Sequence, residues 1–290
     1  MKKSTKIWII TATALIIVGS LAFGFVMSFL KWDFVKLSTS KFETNKHDIN
    51  QEYKDISIVS PTANIEFLPS EDNKSRVVCY EEENAQHKIA VKDGVLFIEL
   101  EETKEWYEYI GINFGTPKIT VYIPKNEFGA LSIESSTSDI EIKDMSLDSI
   151  NVNVSTGRVL ISNINCNNDI KVKVSTGKVL LSNVLCKNVA TEGNTGDIDL
   201  KDVIAREKFS IVRSTGDIEF FDCDASEIYM ETDTGDIEGI LLSEKVFITK
   251  TSTGDIEVPK TVTGGKCEII TDTGDVEIDI KGLFGQSNPL

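Results

Sequence analysis

The sequence predicts an all-β protein, a single-stranded, β-helix-like β-solenoid of 19–20-residue coils preceded by one N-terminal transmembrane helix. Three observations predict it. A five-residue motif returns eight times at almost constant spacing, the residues between its copies alternate apolar and polar, and a 24-residue uncharged stretch follows a short basic lead.

The lead is residues 1–6, with Lys2, Lys3 and Lys6, and the uncharged stretch is residues 7–30, Ile7 to Leu30. At about 1.5 Å per residue it spans roughly 36 Å, enough for a bilayer core with some tilt. No convincing small-x-small site precedes Lys31, which favours an uncleaved anchor over a cleaved signal peptide. Lys31, Lys36, Lys41 and Lys46 nearly balance the lysines of the lead. The N-inside orientation therefore rests on the export-like leader and on the ease with which long domains translocate. The expected location is a bacterial plasma membrane, crossed once, with the C-terminal domain extracytoplasmic. Ser20-x-x-x-Gly24-x-x-x-Ser28 has the small-residue spacing that lets membrane helices approach one another.

The repeat motif appears as Ser136-Thr137-Ser138-Asp139-Ile140 and, further on, as Ser175-Thr176-Gly177-Lys178-Val179 and Asp233-Thr234-Gly235-Asp236-Ile237. Its third position is Ser138, Gly157, Gly177, Gly196, Gly216, Gly235, Gly254 and Gly274, in steps of 19 or 20 residues. Such a period is the mark of a solenoid or array. Each repeat reads as strand, turn, strand: Ile170, Val172 and Val174 alternate with Asp169, Lys171 and Lys173 before the turn, and Val179 and Leu181 resume after it. Glycine at the third position points to a bend that needs positive φ or a close backbone approach. One coil cannot bury its own apolar face, so coils must stack, and eight at about 4.8 Å each give a rod of roughly 38 Å.

The organisation that follows is a linker at 31–54, divergent first coils and a cap with an aromatic insertion at 55–130, regular repeats at 131–281, and a tail or cap at 282–290. Ser60-Pro61-Thr62-Ala63-Asn64-Ile65 reads as a degraded copy of the repeat turn. Trp106, Tyr107, Tyr109 and Phe114 form either a packed cap or an exposed contact patch.

Acids outnumber bases 46 to 30, a net charge of −16, which repels nucleic acid and anionic lipid. Stacking puts Asp139, Arg158, Lys178, Asp197, Asp217, Asp236, Asp255 and Asp275 in one column, and Glu141, Leu160, Leu180, Asp199, Glu219, Glu238, Glu257 and Glu277 in a second on the same outward face. Neighbouring like charges at that spacing repel by about 1 kcal/mol in water. Residues 131–186 carry a net charge of −1 and residues 187–290 one of −12, so the acid concentrates in the later coils. Two readings follow: soluble turn chemistry, or a strip from Asp197 to Glu277 that binds a basic partner or Ca²⁺ weakly. The nine-residue glycine-rich pattern of calcium β-rolls is absent. No cofactor is expected otherwise.

The five cysteines, Cys79, Cys166, Cys186, Cys223 and Cys267, show no metal or redox spacing and read as small buried apolar residues, with a Cys166–Cys186 disulfide geometrically open. His47 and His87 are the only histidines and lie outside the repeats. No serine–histidine pair, phosphate loop or zinc motif is visible, and identical repeated acids suit architecture better than a catalytic centre.

The Ser/Asp-Thr-Gly-Asp-Ile-Glu turns, together with Ile119-Thr120-Val121-Tyr122-Ile123-Pro124-Lys125 and Gly264-Gly265-Lys266-Cys267-Glu268-Ile269, resemble a bacterial family of β-strand-repeat proteins of unknown function often labelled putative adhesins. The resemblance runs over about residues 55–280. It implies a β-solenoid at the cell envelope behind one membrane helix, and it brings no catalytic residues. The expected role is a non-catalytic binding, adhesin-like or scaffold module that meets an envelope protein or cell-surface ligand. A component of envelope-stress sensing, or more remotely a β-helical polysaccharide enzyme, stands as the alternative.

Overall fold

The computed structural model describes residues 3–37, 41–102, 115–260 and 263–282. Helix α1 (Lys3–Phe29) is long and apolar enough to cross a membrane, a test that a signal sequence also passes. Its apolar side chains, Ile10, Leu15, Leu21 and Phe25 among them, are exposed around the helix. Lys31 and Trp32 take positive φ and end it.

After a short 3₁₀ helix at Phe34–Leu37, the chain is β-structure wound as a solenoid of about seven turns. The first turns are built from β1 (Phe42–Ile49), β2 (Asp55–Val59), β3 (Asn64–Pro69), β4 (Ser75–Glu82), β5 (Ala85–Lys92), β6 (Val95–Glu102), β7 (Lys118–Ile123) and β8 (Glu127–Thr137). Strands β2 and β3 stack in parallel on β8 and β9 (Ile140–Thr156). The Ser60–Asn64 turn between them occupies the repeat's corner. The Pro61 carbonyl accepts the Thr137 N–H at 2.7 Å, and Asn64 Oδ1 accepts the Asp139 N–H at 2.9 Å. The β5–β6 hairpin, turned by Asp93-Gly94 with positive φ at both, adds antiparallel pairing here.

Strand β1 pairs antiparallel with β4, so Phe42–Ile49 is folded where the sequence reads as linker. The reason is compositional: its inward positions are Glu43, Asn45, His47 and Ile49, which leave almost no apolar alternation to detect.

The regular coils run through β9, β10 (Val159–Cys166), β11 (Asp169–Thr176), β12 (Val179–Thr195), β13 (Ile198–Thr215), β14 (Ile218–Thr234), β15 (Ile237–Leu241), β16 (Lys245–Thr253), β17 (Ile256–Glu257), β18 (Gly265–Thr273) and β19 (Val276–Ile280), paired in parallel. Each full coil has three straight segments and three corners. At the first corner the seven glycines have φ between +116° and +148°, and each stands against the corner of the preceding coil in the stack. Gly157 N–H donates to the Thr176 carbonyl at 3.0 Å, and Gly177 N–H to the Thr195 carbonyl at 2.8 Å. At the second corner Asp144, Asn163, Asn183, Asp202 and Asp222 all have φ near +55°, a left-handed conformation that Asn and Asp tolerate best among residues with a side chain. Their amides also stack: Asn163 Nδ2 donates to Asp144 Oδ1 at 2.8 Å and Asn183 Nδ2 to Asn163 Oδ1 at 2.9 Å. A third ladder has Asn188 Nδ2 donating to Asp169 Oδ1 at 2.8 Å.

Inside, Ile, Val and Leu from successive coils form one continuous core, exemplified by Ile140, Val159, Val179, Ile198, Ile218 and Ile237. Each such residue, fully buried, contributes about 1.5–3 kcal/mol. All five cysteines are buried and free, so the Cys166–Cys186 disulfide is not formed.

The stacking order departs from sequence order at the end. The coil of β18 and β19 lies between that of β14 and β15 and that of β16 and β17. Gly235 N–H therefore donates to Thr273, and Gly274 N–H to Thr253. Inner apolar content explains the exchange. The last described coil offers Cys267, Ile269, Val276 and Ile278, all buried, whereas the displaced one has Thr249 opposite Ile269, keeps Phe247 and Val258 only partly buried and leaves Ile256 39% exposed at the end of the stack. The more apolar coil takes the slot covered on both sides.

Two expectations follow. Gly177→Ala places a Cβ 2.7 Å from the Gly157 carbonyl carbon, and it should cost more than about 3 kcal/mol, since backbone strain is joined by overlap with a fixed neighbour. Gly94→Ala, which meets open space, should cost about 1 kcal/mol, and thermal denaturation of both variants measures the difference. The coil exchange predicts that the double variant E238C/E277C oxidises readily to a disulfide while E238C/E257C does not, as read by free-thiol titration.

Candidate functional site

The two acidic columns predicted from the repeat are present, in the order Asp197, Asp217, Asp236, Asp275, Asp255 and Asp199, Glu219, Glu238, Glu277, Glu257. The structure gives the aspartates an architectural task. Asp217 N–H donates to Asp197 Oδ1 at 3.3 Å, Asp236 N–H to Asp217 at 3.0 Å, Asp275 N–H to Asp236 at 2.8 Å and Asp255 N–H to Asp275 at 2.6 Å. Each carboxylate thus caps a backbone donor of the next coil, which is why a short acid follows the glycine. The column is also partly neutralised at its early end. Arg158 lies 3.4 Å from Asp139, and Lys178 lies 2.8 Å from Asp199 and 3.9 Å from Asp197. The Asp199 carboxylate beside it raises the Lys178 ammonium above its ordinary range.

Beyond Lys178 neither column contains a base. Next to the glutamates runs a parallel column of Lys201, Phe221, Ile240 and Asp279. Between the two columns lies a groove of about 460 Å³ with Glu219, Glu238 and Glu277 on one side and Phe221 and Ile240 on the other. Phe221 is 48% exposed, although its neighbour Phe220 is buried. Burial against the groove wall first, then the charges of Glu277, Asp236, Glu219 and Asp217, push the Glu238 carboxyl up. Phe221 and Ile240 belong to this site, and sequence reasoning missed them. The signal was an apolar residue at an outward position, Phe221 beside Phe220, which breaks the alternation.

Trp106, Tyr107, Tyr109 and Phe114 lie outside the described residues.

At the opposite end the fold assembles a polar cluster that the sequence did not reveal, a serine–histidine pair among it. Ser60 Oγ is 2.9 Å from His87 Nε2, and His87 Nδ1 is 2.6 Å from Glu81 Oε2. The His87 backbone N–H also donates to Glu81 Oε2 at 2.7 Å, and Asn45 Nδ2 donates to Glu81 Oε1 at 2.9 Å. Burial alone pushes the Glu81 carboxyl up, but the His87 and Asn45 hydrogen bonds outweigh it and hold the carboxyl below its usual range. Cys79 stands beside this pair, its thiol pushed up to about 12 by burial and then by Glu81. The bonding order matches a Ser-His-acid relay, yet Ser60 is 1% exposed and its backbone N–H is committed to the Glu134 carbonyl. No substrate carbonyl reaches that hydroxyl, and the nucleophile's own N–H is not free for an oxyanion.

A second missed residue is Arg213, which points into the core. Gly193 leaves the space its guanidinium fills, and Nη1 donates to the Val174 carbonyl at 2.7 Å. Desolvation lowers its pKa from the ordinary guanidinium range.

A parallel solenoid with a glycine corner, headed by an apolar helix and faced with acid at one end, defines a class of repeat protein. The chain belongs to the Toastrack DUF4097 family, whose family model matches residues 53–184 and 167–287. Comparison with curated proteins found no match. Among solved structures it is similar to a putative adhesin from Bacteroides fragilis, at 18% identity over 83% of this chain and 97% of that one, with a TM-score of 0.40. It is also similar to a putative adhesin from Parabacteroides merdae, at 13% identity over 83% and 97%, with a TM-score of 0.37. A putative lipid binding protein from Parabacteroides distasonis matches at 13% identity over 84% and 98%, with a TM-score of 0.29.

The raised Glu238 carboxyl has a consequence with a definite sign. A carboxyl whose folded pKa lies above its unfolded value stabilises the fold below the unfolded pKa, and that contribution is lost as pH rises through the folded value. Glu238→Gln should therefore raise the melting temperature at pH 7 and leave it unchanged near pH 3, which thermal scans at the two pH values will show.

Proposed function

We propose that this chain is a non-catalytic binding module, held at the bacterial plasma membrane by α1, whose extracytoplasmic solenoid captures a basic, amphipathic segment of an envelope partner. The observation that carries this reading is the groove, where Glu219, Glu238 and Glu277 face Phe221 and Ile240 across about 460 Å³. An acidic wall alone would suit any cation. An acidic wall opposite an exposed aromatic ring suits a ligand carrying charge and apolar surface side by side. The length and apolar character of α1 support anchoring.

The Asp197 to Glu277 strip as a Ca²⁺ site is the weaker reading. One oxygen of each of Asp197, Asp217, Asp236 and Asp275 already accepts a backbone donor, and Asp199 is paired with Lys178, which leaves the glutamates as the less engaged ligands.

The test is titration of the full chain in detergent with a fluorescent peptide of alternating lysine and phenylalanine, and with a glutamate–phenylalanine control. The basic peptide should bind, and its affinity should fall about tenfold in Phe221→Ala and in E219Q/E277Q and should weaken with salt. Affinity unchanged in both variants would remove the groove as the binding surface. Calorimetry with millimolar Ca²⁺ should give no heat comparable to that of the peptide.

A further inference from the structure

Cys79, Glu81 and His87 are all buried, and one donor atom from each lies within 4.8 Å of the other two. A thiol, a carboxylate and an imidazole form the donor mixture that suits a borderline dication such as Zn²⁺. The positions are set by rigid elements. Cys79 and Glu81 are on the same face of β4, and His87 enters from β5 across the tight turn between the two strands.

What distinguishes this trio from three chance neighbours is the shell behind it. Metal-ligating histidines carry a hydrogen-bond partner on the other ring nitrogen, and ligating carboxylates are held by donors of their own. Both conditions are met: Ser60 Oγ waits at His87 Nε2, and Asn45 Nδ2 holds Glu81 Oε1. His47, two residues along β1 from Asn45 and on the same face, adds a buried Nε2 with no hydrogen-bond partner.

We propose that Cys79 Sγ, Glu81 Oε2 and His87 Nδ1 bind one Zn²⁺-class ion that clips β5 to β4 at the first-coil end of the solenoid. Binding displaces the Cys79 thiol proton to solvent. It also moves the neutral imidazole to the tautomer protonated on Nε2, which donates to Ser60 Oγ in place of the hydrogen bond to Glu81. The +2 charge then balances one thiolate and one carboxylate in a site buried from bulk solvent. The ion's role there is structural, because the ligands are sealed from solvent and the solenoid's other end carries the groove.

The experiment uses the full chain in detergent, stripped with a chelator and then titrated with Co²⁺ and with Zn²⁺. Cobalt should saturate at one equivalent. It should give a sulfur-to-cobalt charge-transfer band in the near ultraviolet and d–d bands in the visible. Both signals should vanish in Cys79→Ser and persist in E219Q/E277Q, which alters only the groove. Zinc should raise the melting temperature of the parent chain and leave that of Cys79→Ser unmoved. A cobalt spectrum without a sulfur band, or one identical in Cys79→Ser, would overturn the proposal and assign any bound metal to the acidic face. Should Cys79→Ser not fold, zinc-edge X-ray absorption on the parent chain decides: one sulfur in the first shell supports the site, and none or two refutes it.

Discussion

A coil of 19 or 20 residues must turn three corners and still return in register with its neighbour about 4.8 Å away. At the tightest of these corners the backbone N–H of one coil has to reach the carbonyl of the next with no side chain between them. Gly157, Gly177, Gly196 and their successors meet that demand: positive φ aims the N–H at the next coil, and the missing Cβ lets the preceding corner close on it. Once the corner is fixed, the rest follows geometrically. Threonine precedes the glycine in every file, aspartate after it caps the adjacent backbone, and the aliphatic residue beyond turns into the core. Ser138, the one member of the file with a side chain, is buried where the regular stack meets the Pro61 turn.

Much of this was legible in the sequence because the corner imposes a residue type and the coil length imposes a period. The alternation of Ile170, Val172 and Val174 gave the inward face, and the offset of two between Asp217 and Glu219 put both acids on the outward one. The second corner was equally periodic, at Asp144, Asn163, Asn183, Asp202 and Asp222, six residues after each turn residue. It escaped notice because Asn and Asp are unremarkable on a polar surface, whereas a lone glycine among β-branched residues is not. The partners of His87 were illegible for a different reason. Ser60, Asn45, Glu81 and Cys79 come from two strands and a turn of the irregular first coils, where no period relates one residue to another.

The coil exchange shows where periodicity misleads. Repeats that share a turn motif are interchangeable at the level of hydrogen bonding, since every slot offers the same Thr carbonyl and the same Gly N–H. What separates them is the side chain on the inner face. Ile269 and Val276 need cover above and below, and Thr249 does not. The packing term therefore decides an order that the backbone leaves open. It also draws the chain's last described coil into the stack, so that Glu277 stands beside Glu238.

That placement shapes the groove. With Glu277 adjacent, Glu238 has acid on both sides and, next to it, Ile240 with Phe221 in the parallel column. Sequence order would have set Glu257 there, with Val258 and Pro259 following in place of Ile278 and Asp279. The groove is thus a product of the same inner-face competition that ordered the coils. Its strain is electrostatic, where the corners' constraint is steric: like charges are held at the spacing of β-strands by backbone bonds that no single carboxylate can relax. On the proposed reading, a basic ligand entering the groove would relieve repulsion already present in the folded chain, while its apolar part would cover the exposed Phe221 ring. On that reading part of the binding energy is stored by folding, so that a ligand would need only modest contact area to collect it.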